Sequence, residues 1–191
     1  IHRLDRERLA RHGLIQPEAQ VTGLLEEFRI VKRRVLASIR KARENGAGEI
    51  AQRLLVCSPL PNEGKTYCAA NLALALAAEK DSEVLLVDAD FAKPSILTVL
   101  GLPRGPGFMD VLANPQVELE DCILATDIAG LWVLPAGNQT NSDSEYLASA
   151  RTKQVLERFT AGAPNRIVIF DSPPLLLTTE SRVLATHMGQ V

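Results

Sequence analysis

The chain has 191 residues, a formal net charge of -2, and 46% hydrophobic residues of which few are aromatic. This balance fits one aliphatic α/β domain with room for a helical extension and excludes a low-complexity chain or one that coats nucleic acid. Charge is uneven: residues 1 to 50 sum to +4 and the remainder to -6, as expected of a solvated helical face or of a basic arm that docks on an acidic neighbour.

In chain order, residues 3 to about 12 suit a short charged helix, and Gly13 to Pro17 a break. A longer helix is expected from Val21 to Asn45, with Leu24, Leu25, Phe28, Val31, Val35, Leu36 and Ile39 forming one apolar stripe. Asn45-Gly46-Ala47-Gly48 ends it. Arg53 to Cys57 reads as a strand, followed by a turn-rich loop and a helix from Lys65 to Ala78. Glu83 to Val87 is a second strand, closed by Asp88-Ala89-Asp90. Short helices are expected at Pro94 to Leu100 and Phe108 to Leu112, and short strands at Ile123-Leu124 and Leu131 to Leu134. A helix from Ser144 to Phe159 leads to the strand Arg166 to Phe170, which ends in Asp171-Ser172-Pro173-Pro174. Thr179 to His187 looks helical, and Gly189-Gln190-Val191 looks like the start of a further strand. Aliphatic strands alternating with helices predict a mostly parallel sheet covered on both faces, with a site at the strand C-terminal ends.

Cys57, Cys68 and Cys122 lack metal-ligand spacing and read as buried thiols of a reducing compartment. No apolar run approaches the roughly 20 residues needed to cross a bilayer, and no signal peptide is visible. A first residue other than methionine leads us to expect a piece of a longer protein.

Strand, loop, Gly64-Lys65-Thr66 and helix is an arrangement that holds a nucleotide triphosphate. Loop N–H groups from Pro61, Asn62, Glu63, Gly64, Lys65, Thr66 and Tyr67 and the positive helix end would surround the phosphates, proline contributing position but no donor. Lys65 would reach the outer phosphates, and the Thr66 hydroxyl would bind Mg2+. The spacing is off the usual pattern: Pro59 stands where a glycine is common, and so does Asn62, a residue that tolerates positive φ better than most. Phosphoryl transfer also needs a strand-end carboxylate near the metal and a group to deprotonate or orient the nucleophile. Asp171 suits the first role. Asp88 and Asp90, two apart in extended geometry, can face the same side, one as base and the other holding metal-bound water.

Ser58 to Thr66, Leu85 to Asp90 and Ile167 to Pro174 resemble the Walker A, A′ and B motifs of bacterial tyrosine kinases, a deviant-Walker P-loop family tied to polysaccharide chain-length control. Ser144 to Ser149 is similar to a further family segment, and Leu4 to Pro17 looks most like the exosortase-linked exopolysaccharide branch. The resemblance implies a P-loop NTPase-like kinase domain at 49–191, short of its C-terminal part, behind a helical extension at 1–48. It implies an ATP- and Mg2+-dependent tyrosine autokinase acting in trans on a tyrosine tail. Lys65 would stabilise phosphate charge, Thr66, Asp90 and Asp171 would serve the metal, and Asp88 would be the base. Glu26, Arg29 and Lys32 resemble the element with which the family assembles rings. A membrane polysaccharide co-polymerase would be the partner, at the cytoplasmic side of the inner membrane; no nucleic acid is implied.

Departures from the family are Asn62 in the loop, Ala92 where the family's Asp-x-Asp-x-Arg run ends in arginine, with Lys93 the nearest cation, and Lys32 in place of arginine. Tyr67 and Tyr146 are expected to be structural. Two other readings remain open at this point. One is a partitioning-type (MinD/ParA-like) ATPase, although Leu60 stands where those proteins carry a lysine. The other is a nucleotide-binding assembly subunit without activity.

Overall fold

The computed structural model of the chain describes residues 1–16 and 21–191. Its helices are α1 (Arg6–Arg11), α2 (Gly23–Glu44), α3 (Lys65–Ala77), α4 (Ile96–Leu100), α5 (Phe108–Ala113), α6 (Leu119–Cys122), α7 (Asp143–Leu147), α8 (Ala150–Thr160) and α9 (Glu180–Ala185). The strands are β1 (Arg53–Val56), β2 (Glu83–Asp88), β3 (Leu124–Ala125), β4 (Leu131–Leu134) and β5 (Arg166–Asp171). They form one sheet in the order β1-β5-β2-β4-β3, parallel except for β3, which runs antiparallel to β4. The expected mostly parallel α/β sheet is therefore present. Gln190 forms a parallel bridge with Leu54 on the outer side of β1, in line with Gly189-Gln190-Val191 read as the start of a further strand.

Strand side chains alternate between two apolar layers, because successive residues of a strand point to opposite faces. Leu54, Val84, Leu86, Ile167 and Ile169 pack under α1 to α4, while Leu55, Leu85, Val87, Val168 and Phe170 pack under α5 to α9. The first layer is closed by α3, whose alanines let it lie close on the sheet: Ala69, Ala70 and Ala73 are wholly buried. The second is centred on Phe108, whose ring lies 5.7 Å from that of Phe159 and 6.2 Å from that of Phe170. Burying each such ring contributes about 1.5–3 kcal/mol.

The N-terminal segment is part of the first layer. Leu4, Leu9, Leu14 and Ile15 are buried in it. His2 donates its N–H to the Ala125 carbonyl, and the Leu4 N–H goes to Asp127 Oδ1. Asp5 caps α1 and also donates its own N–H to the Leu100 carbonyl, while Arg8 donates to the Thr98 carbonyl. Gly13, at φ +66°, lets α1 end with the Leu14 N–H folded back on the Leu9 carbonyl, an end that favours glycine. Of the predicted break, Pro17 lies outside the described residues. Ile15 then donates to Asn71 Oδ1 of α3 at 2.7 Å.

Four expectations need correction. The helix from Ser144 to Phe159 is two helices, because Ser149 is extended (ψ 159°) and the Tyr146 carbonyl accepts the Ser149 N–H together with the Ser149 and Thr152 hydroxyls. Val31 is 41% exposed, and Lys32 takes its place on the inner side of α2. There its stem lies against α3 and its Nζ donates to the Ala75 carbonyl and pairs with Glu79 at 2.6 Å. Cys68 is exposed and Cys57 half-buried, so only Cys122 is the buried thiol expected of all three. Asp88 and Asp90 do not share a side, as the next section describes. Among the described residues no helix is long and apolar enough to cross a membrane.

Candidate active site

β1 delivers the loop and α3 receives it. Asn62 sits at φ +61° and Gly64 at φ +91°, which turns the chain so that α3 begins at Lys65 with its N-terminus facing the strand ends. Asparagine is one of the few side-chain-bearing residues that enter this region readily, so the departure at Asn62 keeps the backbone a glycine would supply. Lys65 is buried and folds back along the loop, its Nζ donating to Ser58 Oγ and to the Leu60 carbonyl, each at 3.1 Å. Glu63 turns away from the site: its carboxylate accepts the Leu60 N–H at 2.8 Å, and that bond, with the Ser58 hydroxyl, holds it below the usual carboxylate range.

Thr66 is the junction of three elements. Its Oγ1 donates to Asp171 Oδ2 at 2.6 Å and lies 3.0 Å from Ser95 Oγ. Asp171 is 1% exposed, and its other oxygen, Oδ1, is buried without a hydrogen-bond partner among the described residues. Burial pushes its pKa up to about 6; the Thr66 hydroxyl opposes the rise, Asp90 adds to it, and Lys65 lowers it. An unmatched carboxylate oxygen beside a hydroxyl suits a hard cation such as magnesium, which takes oxygen ligands. Among the described residues no group of three or more His, Cys, Asp or Glu side chains could hold a metal unaided. A cation at Thr66 and Asp171 would therefore share its ligands with phosphate and water.

Asp88 and Asp90 diverge at the end of β2. Asp88 is wholly buried, and its carboxylate caps the start of α4: Oδ2 accepts the Ser95 and Ile96 N–H groups at 2.9 and 3.0 Å, and Oδ1 accepts the Asp90 N–H. Burial raises its pKa to about 7; the Ile96 and Asp90 N–H groups pull it down, and the charges of Asp171 and Asp90 push it up. Among the described residues Asp90, half-buried, accepts only the Lys93 N–H, through Oδ1. The extended run ends at Asp88 itself, where the Ala89 N–H pairs with the Asp171 carbonyl and the chain turns.

A cavity of about 620 Å³ lies over the ends of β1, β5 and β2. Of the residues expected from sequence, Pro61, Asn62, Gly64, Lys65, Thr66, Tyr67 and Asp90 face it, while Glu63, Asp88 and Asp171 do not. Asp171 meets it from beneath through Thr66. Lys93, the cation nearest the position of the family's arginine, also lines it, as do Ser95 and Thr178, which sequence reasoning missed. Ser95, just before the short helix, carried a capping signal, but nothing in its spacing pointed to Thr66. Tyr67 packs its ring on Phe28, the structural role expected of it.

No family model matches the chain. The tyrosine-protein kinase Ptk of Acinetobacter johnsonii is 30% identical over 165 residues, which are 86% of this chain and 21% of Ptk. The chain thus spans about a fifth of that relative's length. Among solved structures, the VpsO kinase domain is 30% identical with a TM-score of 0.66, the match covering 83% of this chain and 78% of that one. The septum site-determining protein MinD of Pyrococcus horikoshii OT3, solved with Mg-ADP, is 25% identical with a TM-score of 0.59, covering 71% of this chain and 54% of its own.

Proposed function

Because the chain belongs to the bacterial tyrosine-kinase family, we propose that it is the nucleotide-binding part of an ATP-dependent tyrosine autokinase. The observation that carries the reading is Thr66 held between Asp171 and Ser95 at the mouth of the loop, with Asp171 Oδ1 unmatched. When bound, magnesium-ATP supplies the transferable γ-phosphoryl group and the cation that neutralises its charge. The first N–H groups of α3 and the Lys65 ammonium, released from Ser58 and Leu60, hold the outer phosphates. Thr66 and Asp171 offer the oxygen ligands. We assign the base to Asp90, which faces the cavity and has one carboxylate oxygen uncommitted among the described residues. The expected base, Asp88, has its oxygens occupied by three N–H groups; its role is to position α4 and Ser95.

The wider role we propose is regulation of exopolysaccharide polymerisation or export. It would act within a ring-type homo-oligomer joined through Glu26 and Arg29, beside a membrane polysaccharide co-polymerase at the cytoplasmic face of the inner membrane. Lys32, tied to Ala75 and Glu79 of its own chain, drops out of that contact. The partitioning-ATPase reading lacks its lysine, since Leu60 stands at that position, and the inactive-subunit reading loses its main support because Asn62 holds the backbone of a glycine.

The test is phosphotyrosine on the intact protein after incubation with magnesium-ATP. The expected result is strong labelling that disappears in Lys65→Ala. Equal labelling in both, or ATP turnover without any phosphotyrosine, would overturn the reading.

A further inference from the structure

A second cavity, of about 680 Å³, lies on the same edge of the sheet, over the ends of β2 and β4. Asp88 and Pro94 line it, whereas Asp90, Lys93 and Ser95 line the first, so the turn after β2 is the rim between the two. Its walls are built to hold their shape. Gly107 and Gly137 cross so closely that a Cβ on either would meet the other strand of the crossing or Asp110. Asp110 ties the crossing by accepting the Gly107 N–H at 2.8 Å, the Asn138 N–H at 3.0 Å and the Asn138 side-chain amide at 2.9 Å. Pro106, Pro135 and Leu97 give the cavity apolar surface, and Arg104 brings its one cation among the described lining residues. Arg104 has no ion-pair partner among the described residues.

We propose that this second cavity receives the acceptor: a tyrosine ring seated against Pro106, Pro135 and Leu97, with acidic residues flanking it held by Arg104. The inference rests on the kinase reading above. The phosphates enter from the β1 side, where the loop and α3 begin, and in-line displacement needs the nucleophile on the side opposite the leaving oxygen. Along this sheet edge, that side is over β2 and β4. A concave apolar site with a single placed charge is the usual shape of a site that holds an aromatic group and selects its neighbours.

Two variants of the intact protein test it, with a glutamate–tyrosine copolymer and an uncharged tyrosine peptide as acceptors. A Cβ at Gly105 meets nothing within 4 Å, so Gly105→Trp fills the cavity without straining the backbone. It should raise KM for both acceptors about tenfold or more. Arg104→Glu should raise KM for the copolymer by a similar factor and leave the uncharged peptide within about twofold. In both variants the affinity for a fluorescent ATP analogue and the slow hydrolysis of ATP by water should stay at the wild-type level. Wild-type KM values in both variants would overturn the acceptor site and leave the kinase reading standing. A loss of ATP affinity would assign the cavity to the nucleotide and overturn it too. Wild-type protein that labels no tyrosine at all would remove both readings together.

Discussion

Thr66 donates its hydroxyl to one oxygen of Asp171 across 2.6 Å, and the other oxygen of that carboxylate is buried with nothing to meet it among the described residues. The pair is thus fixed in place while half its bonding capacity stays open. Most consequences for stability and binding begin there.

The first is a pH dependence. Burial lifts Asp171 to about 6 and Asp88 to about 7, against an ordinary value of 3.8, so the folded chain binds protons more tightly than the unfolded one. Their contribution to stability is complete below about pH 4 and is lost as pH rises through 6 to 7. For Asp171 the span is on the order of 3 kcal/mol. Urea unfolding of nucleotide-free protein should show Asp171→Asn gaining on the wild type between pH 5 and pH 8, while the variant loses magnesium-dependent nucleotide binding. A stability difference that stays constant with pH would contradict this origin of the shift.

Asn62 yields a prediction about the backbone. At φ +61°, Asn62→Gly should change stability by less than about 1 kcal/mol and keep nucleotide affinity. Asn62→Val should cost about 1–2 kcal/mol and weaken nucleotide binding, because the loop must shift to relieve the branched side chain. Thermal unfolding with a nucleotide titration reads both.

Lys32 separates folding from assembly. Its ammonium bonds the Ala75 carbonyl and Glu79 inside one chain, so Lys32→Ala should lower the unfolding free energy by about 1–3 kcal/mol, measured in urea at a concentration where the protein is monomeric. Arg29→Ala, whose guanidinium pairs with exposed Glu26 on the same helix, should cost less than about 1 kcal/mol. If Lys32→Ala unfolds like the wild type and only its sedimentation changes, the buried role is wrong.

The N-terminal segment should behave as core. Leu9 is fully buried beneath α1, and Leu9→Ala should cost about 2–5 kcal/mol, as a core leucine does. An exposed, separately folded extension would lose almost nothing, and denaturant unfolding distinguishes the two.

The parallel strands and the phosphate loop were legible because their signals are local: an aliphatic run, an acidic residue at its end, Gly-Lys-Thr before an alanine-rich helix. The N-terminal docking was not. Leu4, Leu9, Leu14 and Ile15 have no helical or strand period, and what ties the segment down includes Asp127, which accepts the Leu4 N–H from 123 residues away. The division of labour between Asp88 and Asp90 was equally hidden, since it depends on Asp88 reaching the N–H groups at the start of α4. The Ser149 break was masked because every residue around it tolerates a helix, and the competing hydroxyl bonds form only once α7 and α8 are packed. Lys32 defeated the apolar stripe because a lysine stem can lie along a core while its charge finds a partner at the edge.

The strand order has a consequence for how the chain reaches this structure. β1 does not pair with β2; Arg53 aligns with Val168, and Glu83 with Arg166, so β5 inserts between strands made long before it. A chain leaving the ribosome can pair β2 with β4, but must hold β1 and β2 apart, with the edges that face β5 unpaired, until residues 166 to 171 emerge. Such long-range closure makes folding slow and exposes strand edges in the meantime. Refolding from urea should therefore have a late step in which the amides of β1 and β2 become protected together with those of β5.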